Sequence, residues 1–281
     1  MLYPDLFRRM EKARWNLETD IPWADFDETK MTEEHWHSVA MNAVFEWSAM
    51  PTAEMFLRDN PDDVDFAAFM SIWFFEEQKH SLTLLEYLRR FAPERVPSED
   101  ELASVRFPFD PAPPLDSLTL HFCGEIRLNH WYRCASEWHT EPVIKKIYRT
   151  IANDEARHSH AYFEYMQRAI REKGDEAKDA FLKIGVLMLN PRLNKAMHPT
   201  NLHVNKALYP NDTVNSRCPE PGYLERWLNT LIHFDDSWED KVNSAILRSF
   251  SNLFETSFAD VHALRTYRKA LMGSQPIAEA V

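Results

Sequence analysis

The spacing of apolar residues along the chain predicts helices. Apolar positions recur every three to four residues, which places them on one face of a helix, through four long segments: about 32–60, 65–90, 116–138 and 142–173. Thr32 followed by two glutamates favours a helix start, and Asn60-Pro61 and Gly174 favour helix ends. Pro51 lies inside the first segment, where we expect it to kink the helix.

The connections between these segments indicate how the helices pack. Residues 91–114 form a proline-rich connection that is too long for a tight turn, and it separates two helix pairs. Such an order is typical of an up-down four-helix bundle with one long crossover. We therefore predict a single all-α domain over 1–281, with a core bundle at about 32–173 and a C-terminal helical extension at about 175–272.

The two ends of the chain carry weaker patterns. Residues 1–30 are mixed in character and include the stretch 22–26, which we interpret as an ordered lead-in. A loop at 191–220 and a frayed tail at 273–281 are predicted to flank the weaker helical segments of the extension: about 176–190, 221–245 and 246–272.

Composition agrees with an all-α fold and narrows the partners. Only five of 281 residues are glycine, which argues against strand-and-turn folds and against glycine-rich phosphate loops. The formal net charge of −12 argues against nucleic acid as a main partner. Cys123, Cys134 and Cys218 form neither a disulfide framework nor a C-x-x-C motif, and no signal peptide or membrane-spanning run is visible. We expect a cytoplasmic protein without a membrane contact.

The main candidate chemistry is a repeated Glu-x-x-His spacing. It occurs three times: Glu34/His37, Glu77/His80 and Glu155/His158. The spacing is a weak signal in a chain with twelve histidines, so the surroundings of each pair decide. The second and third pairs interrupt otherwise apolar helical faces, where a lone buried carboxylate would be costly. The first pair is expected on a solvated face, as a chance match.

Two further acids occupy matching places on the other helices. Glu46 and Glu125 each lie near the centre of an apolar stripe. Glu46 precedes Glu77 by 31 positions and Glu125 precedes Glu155 by 30, so the two halves look like copies of one helix-pair unit. Together the halves offer six candidate metal ligands: Glu46, Glu77, His80, Glu125, Glu155 and His158.

The residue types predict which metal would bind. Four carboxylates and two imidazoles neutralise two divalent ions, and an oxygen-rich site of this kind suits iron, with manganese as the alternative, better than structural zinc. A Glu from each of two helices and Glu-x-x-His from each of two others is the ligand set of di-iron helical bundles. The competing interpretation, two buried Glu–His pairs without a metal, leaves two inward acids unexplained.

Three stretches of the chain resemble a known family. FEEQKHSLTLLEYL and ANDEARHSHAYFEYM resemble the two Glu-x-x-His helices of the ferritin-like di-iron oxidases, and FEWSAMPTAEMFL resembles their first ligand helix. The soluble acyl-carrier-protein desaturases are the most similar members, over about residues 20–170. The resemblance implies a ferritin-like four-helix bundle, two iron ions, O2, an external electron donor such as ferredoxin, and a homodimer.

The resemblance also implies roles for residues around the ligands. Asp154 should orient His80 from the opposite helix, and a tryptophan of the N-terminal lead-in should close that network. Trp23 is the candidate, with Trp15 as its rival. One departure is that the family's threonine one turn after Glu125 is replaced here by Leu128 and Asn129. Two relatives are disfavoured: storage ferritins are much shorter, and ribonucleotide reductase small subunits carry a tyrosine where this chain has Leu84.

These observations give three functional hypotheses. The first is a desaturase-like oxidoreductase acting on a C–H bond of an acyl or other apolar substrate, lined by Met50, Trp73, Phe122, Leu128 and Tyr162. Docking of an acyl carrier protein would need a basic patch, either Lys145, Lys146 and Arg149 or Arg168, Arg171 and Lys173. The second is an oxygenase that hydroxylates or N-oxygenates a small molecule, for which His121 and Asn129 would be polar groups in the cavity. The third is a metal-binding bundle without catalysis.

Overall fold

The structure, a computed structural model, describes residues 1–104, 111–190 and 236–273, and these ranges contain helices but no strand. The fold class predicted from the pattern, all-α, is confirmed for the described residues. The α-helices are α1 (Tyr3–Ala13), α2 (Glu33–Glu46), α3 (Ala49–Asp59), α4 (Val64–Phe91), α5 (Glu99–Ser104), α6 (Pro114–Trp138), α7 (Pro142–Lys173), α8 (Asp175–Met188), α9 (Asp236–Phe254) and α10 (Val261–Gly273).

The first predicted helix is two helices. We expected one helix with a kink at Pro51, but α2 ends at Glu46 and α3 begins at Ala49. Proline has no N–H to donate to the carbonyl four residues earlier, so the chain tightens before it. Ser48 N–H donates to Phe45 O at 2.9 Å and Met50 N–H to Trp47 O at 3.3 Å, both three residues back. The break leaves Glu46 as the last residue of α2.

The long helices have local starts and stops that the sequence supplies. Asp63 caps α4 by accepting the Phe66 N–H at 3.0 Å. Glu141 caps α7 by accepting the N–H groups of Val143 and Ile144, and proline occupies the next position. Helix α7 ends at Gly174, whose φ of 57° lies in the left-handed region that glycine adopts without strain.

The ligand-bearing helices pack side by side, with two apolar clusters between them. Helix α6 packs along α7, α2 and α3 pack on α4, and α4 contacts α7. One cluster, the Phe56 cluster, includes Phe56, Phe66, Trp73, Phe122 and Tyr162. The other, the Trp36 cluster, includes Trp36, Val44, Leu84, Tyr132 and Tyr148. On α4 and on α7 the Glu-x-x-His pair lies between the residues of one cluster and those of the other.

The N-terminal segment contains a helix that the sequence pattern did not predict. Leu6 and Met10 of α1 are buried one turn apart against the Phe56 cluster. The side chain of Asp65 on α4 accepts the backbone N–H groups of Leu2 at 2.8 Å and Tyr3 at 3.0 Å. The start of α1 is thereby fixed to the helix that carries Glu77 and His80.

The C-terminal extension is described in part. The predicted boundary at 245/246 was wrong, because α9 continues from Asp236 to Phe254. Helix α9 lies close to α8: a Cβ added at Gly185 would lie 2.6 Å from the ring of Phe250. The predicted loop 191–220, the first part of the segment 221–245, Cys218 and the tail beyond 273 lie outside the described residues. Within the described part of the chain, no helix has the length and apolar character needed to cross a bilayer.

Candidate metal centre

The six predicted ligands lie in the layer between the two apolar clusters. Five of them lie within the long helices α4, α6 and α7, and Glu46 is the last residue of α2. All six face the neighbouring helices. All six are buried, with exposed fractions between 0% and 6%: Glu46, Glu77, His80, Glu125, Glu155 and His158. The sequence therefore located a real cluster. Glu34 of the first Glu-x-x-His pair, Glu34/His37, is exposed, as expected for a chance match.

The cluster divides into two overlapping groups of potential metal ligands. Glu46, Glu77, His80 and Glu155 offer one set of atoms that lie within 4.8 Å of one another, and Glu77, Glu125, Glu155 and His158 offer a second such set. Glu77 and Glu155 belong to both groups. Since a carboxylate has two oxygens, these two residues could bridge a pair of ions, while the remaining residues would each serve one ion.

Both imidazoles turn the same nitrogen toward the cluster. His80 Nδ1 lies 3.4 Å from Glu46 Oε2 and 3.7 Å from Glu155 Oε1. His158 Nδ1 lies 2.9 Å from Glu77 Oε1 and 3.3 Å from Glu155 Oε2. The Nε2 atoms face away from the cluster, so Nδ1 is the nitrogen that each histidine could give to a metal.

Each outward Nε2 has a carboxylate partner. His80 Nε2 lies 3.0 Å from Asp154 Oδ2, which agrees with the interpretation of Asp154 as the orienting acid. His158 Nε2 lies 2.9 Å from Glu76 Oε2, a partner that was not assigned from the sequence. Arg157 contacts both acids, through an ion pair with Asp154 and at 3.6 Å from Glu76 Oε1. Such carboxylates fix the tautomer and the ring orientation of a metal-binding histidine.

The tryptophan in this network is Trp15 rather than Trp23. Trp15 Nε1–H donates to Asp154 Oδ2 at 2.8 Å. Trp23 Nε1–H instead donates to the carbonyl of Leu17 at 2.8 Å, so Trp23 is corrected as a candidate. The ammonium group of Lys79 lies 3.8 Å from the centroid of the Trp15 ring and donates to the Trp15 carbonyl. Trp15 follows the end of α1 and Trp23 lies in a short 3-10 helix, Trp23–Asp25, so no extended helical period indicates which ring turns inward.

Two aromatic side chains donate hydrogen bonds to Glu46 and Glu125, the carboxylates that belong to only one of the two groups. Trp73 Nε1–H donates to Glu125 Oε1 at 2.9 Å, and the Tyr132 hydroxyl donates to Glu46 Oε1. The sequence placed both rings on apolar faces near the ligands but did not assign these hydrogen bonds. Each donor leaves the second oxygen of its carboxylate facing the cluster.

The charges in the cluster suit the binding of a cation. Burial raises the pKa of Glu77 to about 7, and burial together with Glu77 raises that of Glu155. Burial would also raise the pKa of Glu125, but the neighbouring His158 and Glu155 outweigh it and lower this pKa to about 2. His80 Nδ1, Glu125 Oε2 and Glu155 Oε1 are buried without a hydrogen bond. Neighbouring acids that cannot all ionise, with unpaired ligand atoms, fit a divalent metal pair.

The further side chains that were predicted to lie beside the centre have different environments in the structure. Asn129 is engaged outside it, since its Nδ2–H donates to the Ala152 carbonyl at 2.6 Å. Leu128, predicted to line the cavity, is 38% exposed because the face of α6 turns away there. The His121 ring lies 4.6 Å from the ring of Phe56, and burial lowers its pKa to about 4. The Tyr162 hydroxyl is buried without a hydrogen-bond partner, and burial raises its pKa strongly.

Comparison with known proteins adds no family assignment. No protein-family model matches the chain, and a search of curated proteins found no match. The site is therefore interpreted from its own geometry.

Proposed function

We propose that this protein is an oxygen-dependent di-iron oxidoreductase of the desaturase type, built on a ferritin-like four-helix bundle. The observation that carries the proposal is the pair of buried ligand groups that share Glu77 and Glu155. An isolated buried Glu–His hydrogen bond would explain neither the shared carboxylates nor the two further acids. Iron fits a set of carboxylate oxygens and imidazole nitrogens, and manganese is the alternative metal. When bound, two iron ions would supply activation of O2 with a change of oxidation state.

The protein residues would prepare the site for that chemistry. Asp154 and Glu76 hold the Nε2–H groups of the two histidines, which keeps each Nδ1 lone pair available. Arg157 balances the charge of the two outer acids. The apolar clusters on both sides exclude water, which protects a strong oxidant from side reactions.

The residues around Glu125 and His158 support an apolar substrate. Trp73 contacts both residues, through its hydrogen bond to Glu125 and with its ring centroid 6.4 Å from that of His158. Trp73, Phe56 and Phe122 belong to the Phe56 cluster, an environment that suits the C–H bonds of an acyl chain or another apolar substrate. An external electron donor such as ferredoxin would complete the reaction.

An acyl carrier protein is the partner that a desaturase-type reaction would use. Of the two candidate basic patches, Arg168 is engaged in ion pairs with Asp63 and Asp65. Lys145, Lys146 and Arg149 near the start of α7 remain the better candidate, since Lys146 and Arg149 are exposed.

A small-molecule oxygenase is the second candidate function. It is favoured by the buried Tyr162 hydroxyl, which has no hydrogen-bond partner, and by the half-buried His121 ring, both of which lie against the Phe56 ring. These groups could bind a polar atom of a small substrate, and an acyl chain would leave them unpaired.

Measurement of oxygen consumption together with product analysis distinguishes the desaturase from the small-molecule oxygenase. Iron-loaded protein with a chemical reductant would be given acyl thioesters in one series and amines or phenols in another. Conversion of an acyl thioester to its unsaturated product supports the desaturase proposal, and hydroxylated or N-oxygenated products from the second series support the alternative. Glu77→Ala should abolish either activity, whereas Glu34→Ala, in the exposed Glu-x-x-His pair, should retain it. Loaded iron without substrate-dependent oxygen uptake would contradict both.

A further inference from the structure

A series of aromatic side chains leads from Glu46 to the surface. It begins with Tyr132, whose hydroxyl donates to Glu46. The Tyr132 ring stacks on that of Tyr148 with centroids 5.6 Å apart and planes 25° apart. Tyr148 is completely buried, and its hydroxyl accepts a hydrogen bond from Asn42 Nδ2 at 2.8 Å.

The series continues through histidines to a tryptophan at the end of α6. The His139 ring lies 5.1 Å from that of Tyr148 and 4.7 Å from that of Trp138. His35 lies 4.3 Å from Trp138 and 4.6 Å from His139, centroid to centroid. Trp138 is half-buried, so its indole reaches solvent. Every step is a contact between rings, and electron transfer falls steeply with distance, so contacts of this kind favour it.

The buried part of this aromatic series contains a histidine, although apolar packing alone would not require one. His139 has no exposed surface, and neither of its ring nitrogens has a hydrogen-bond partner. A buried polar group without a partner is costly, and an apolar ring would fill the same space. Burial lowers the pKa of His139 and of His35, so both rings are neutral near pH 7 and do not repel an electron vacancy.

We propose that Tyr132, Tyr148, His139 and Trp138 form a route by which electrons from the surface, passing one at a time, would reduce the metal centre when O2 has oxidised it without a substrate. The inference rests on the proposed di-iron function. Tyr132 would give one electron to the oxidised centre and its phenolic proton to Glu46. Trp138 would replace that electron across Tyr148 and His139, and Tyr132 would take its proton back. A one-electron reductant such as a thiol or ascorbate would then reduce Trp138.

A second aromatic group, Trp15, lies on another side-chain network of the centre. The Lys79 ammonium over the Trp15 ring opposes loss of an electron from Trp15, whereas the Asp154 carboxylate that accepts its Nε1–H favours it. No cation–π contact is found at Trp138 within the described residues. The identity of the oxidised tryptophan therefore distinguishes the route through Tyr132 from one through Trp15.

The test uses full-length protein loaded with Fe(II), whose iron content is measured before O2 is added without any organic substrate. Samples frozen at increasing times are examined by electron paramagnetic resonance, and the final protein is digested for mass spectrometry. We expect a phenoxyl radical signal that Tyr132→Phe loses, and oxygenated Trp138 as the main tryptophan product, formed with oxygen from O2. Ascorbate should prevent that product, and Tyr132→Phe should lose it.

Trp23→Phe is the matched control, because Trp23 is equally half-buried but hydrogen-bonds to Leu17 and contacts none of these rings. It should leave the radical signal and the Trp138 product unchanged. Three results with iron-loaded protein that consumes O2 would overturn this inference but not the proposed function. Trp138 could remain unmodified, Trp138 could be modified equally in Tyr132→Phe, or Trp15 could be the modified residue. Failure to bind iron would overturn the proposed function together with this inference, and the iron measurement distinguishes the two failures.

Discussion

At the scale of single residues, the acids that directly precede Glu77 and Glu155 have the same task. Glu76 holds Nε2 of His158, and Asp154 holds Nε2 of His80, so each Glu-x-x-His helix supplies the partner for the histidine of the other. The repeated acid in the two halves of the sequence was the signal for both roles. Only Asp154 was assigned from it, because the resemblance supplied that role and helical spacing alone does not show cross-helix contacts.

Replacing Asp154 tests this task. Asp154→Asn keeps the size of the side chain but removes the charge that orients His80, and such changes commonly weaken metal affinity about 10- to 100-fold. The affinity would be measured by competition with a coloured chelator. Asp179→Asn is the control, because Asp179 pairs with Arg268 far from the centre and its loss should leave the affinity unchanged. Equal affinity in Asp154→Asn and wild type would contradict the assigned role.

Two buried tyrosines of α7 should respond oppositely to loss of the hydroxyl. The Tyr162 hydroxyl has no partner, so Tyr162→Phe should stabilise the metal-free protein by about 1 kcal/mol. The Tyr165 hydroxyl donates to the Asp65 carbonyl at 3.1 Å, so Tyr165→Phe should destabilise it by about 1 kcal/mol. Urea unfolding of both variants measures the difference. A loss of stability in Tyr162→Phe as large as in Tyr165→Phe would show that the Tyr162 hydroxyl has a partner.

At the scale of helices, local signals predicted the starts and stops better than the breaks. Gly174 follows the last residue of α7 and Pro142 begins this helix, as predicted, whereas α6 begins at Pro114, two residues before the predicted start at 116. Pro51 was read as a kink, but a proline is also tolerated in the first turn of a new helix. Tertiary contacts decide between these outcomes. Helix α1 was missed because its buried face is only two residues wide, Leu6 and Met10.

Glu141 stabilises the start of α7 and joins this helix to its neighbours. Its buried carboxylate caps α7 and also accepts the Tyr87 hydroxyl at 3.0 Å and the Asp27 N–H at 3.3 Å. Glu141→Ala would leave these buried donors unpaired and should lower the free energy of unfolding by about 2 kcal/mol or more. Glu137→Ala, at an exposed position near the end of α6, should change it by less than about 0.5 kcal/mol. Similar unfolding midpoints for the two variants would contradict this role.

At the scale of the whole molecule, the sequence predicted that six residues would be buried together, because these polar residues interrupt apolar helical faces at matching depth. Helical periodicity shows which residues face the core. The long connection at 91–114 allows the two helix pairs to pack against each other, so that these residues come together. Periodicity could not show the donors Trp15, Trp73 and Tyr132 as partners of particular carboxylates, since those contacts depend on how helices and the lead-in are placed. The exposed Leu128 marks where a regular stripe leaves the core.

Anaerobic titration with Fe(II) is the most direct test of the proposed pair of metal ions, which Glu77 and Glu155 would share. We expect two irons per chain and, after exposure to air, the optical bands of an oxo-bridged di-ferric pair. Glu77→Ala and Glu155→Ala should disturb both positions, whereas Glu46→Ala should weaken mainly the ion that His80 would bind, because Glu46 belongs to one group alone. Protein that binds no metal, or a single zinc, in the wild-type chain would contradict this proposal and leave the cluster as a hydrogen-bonded core.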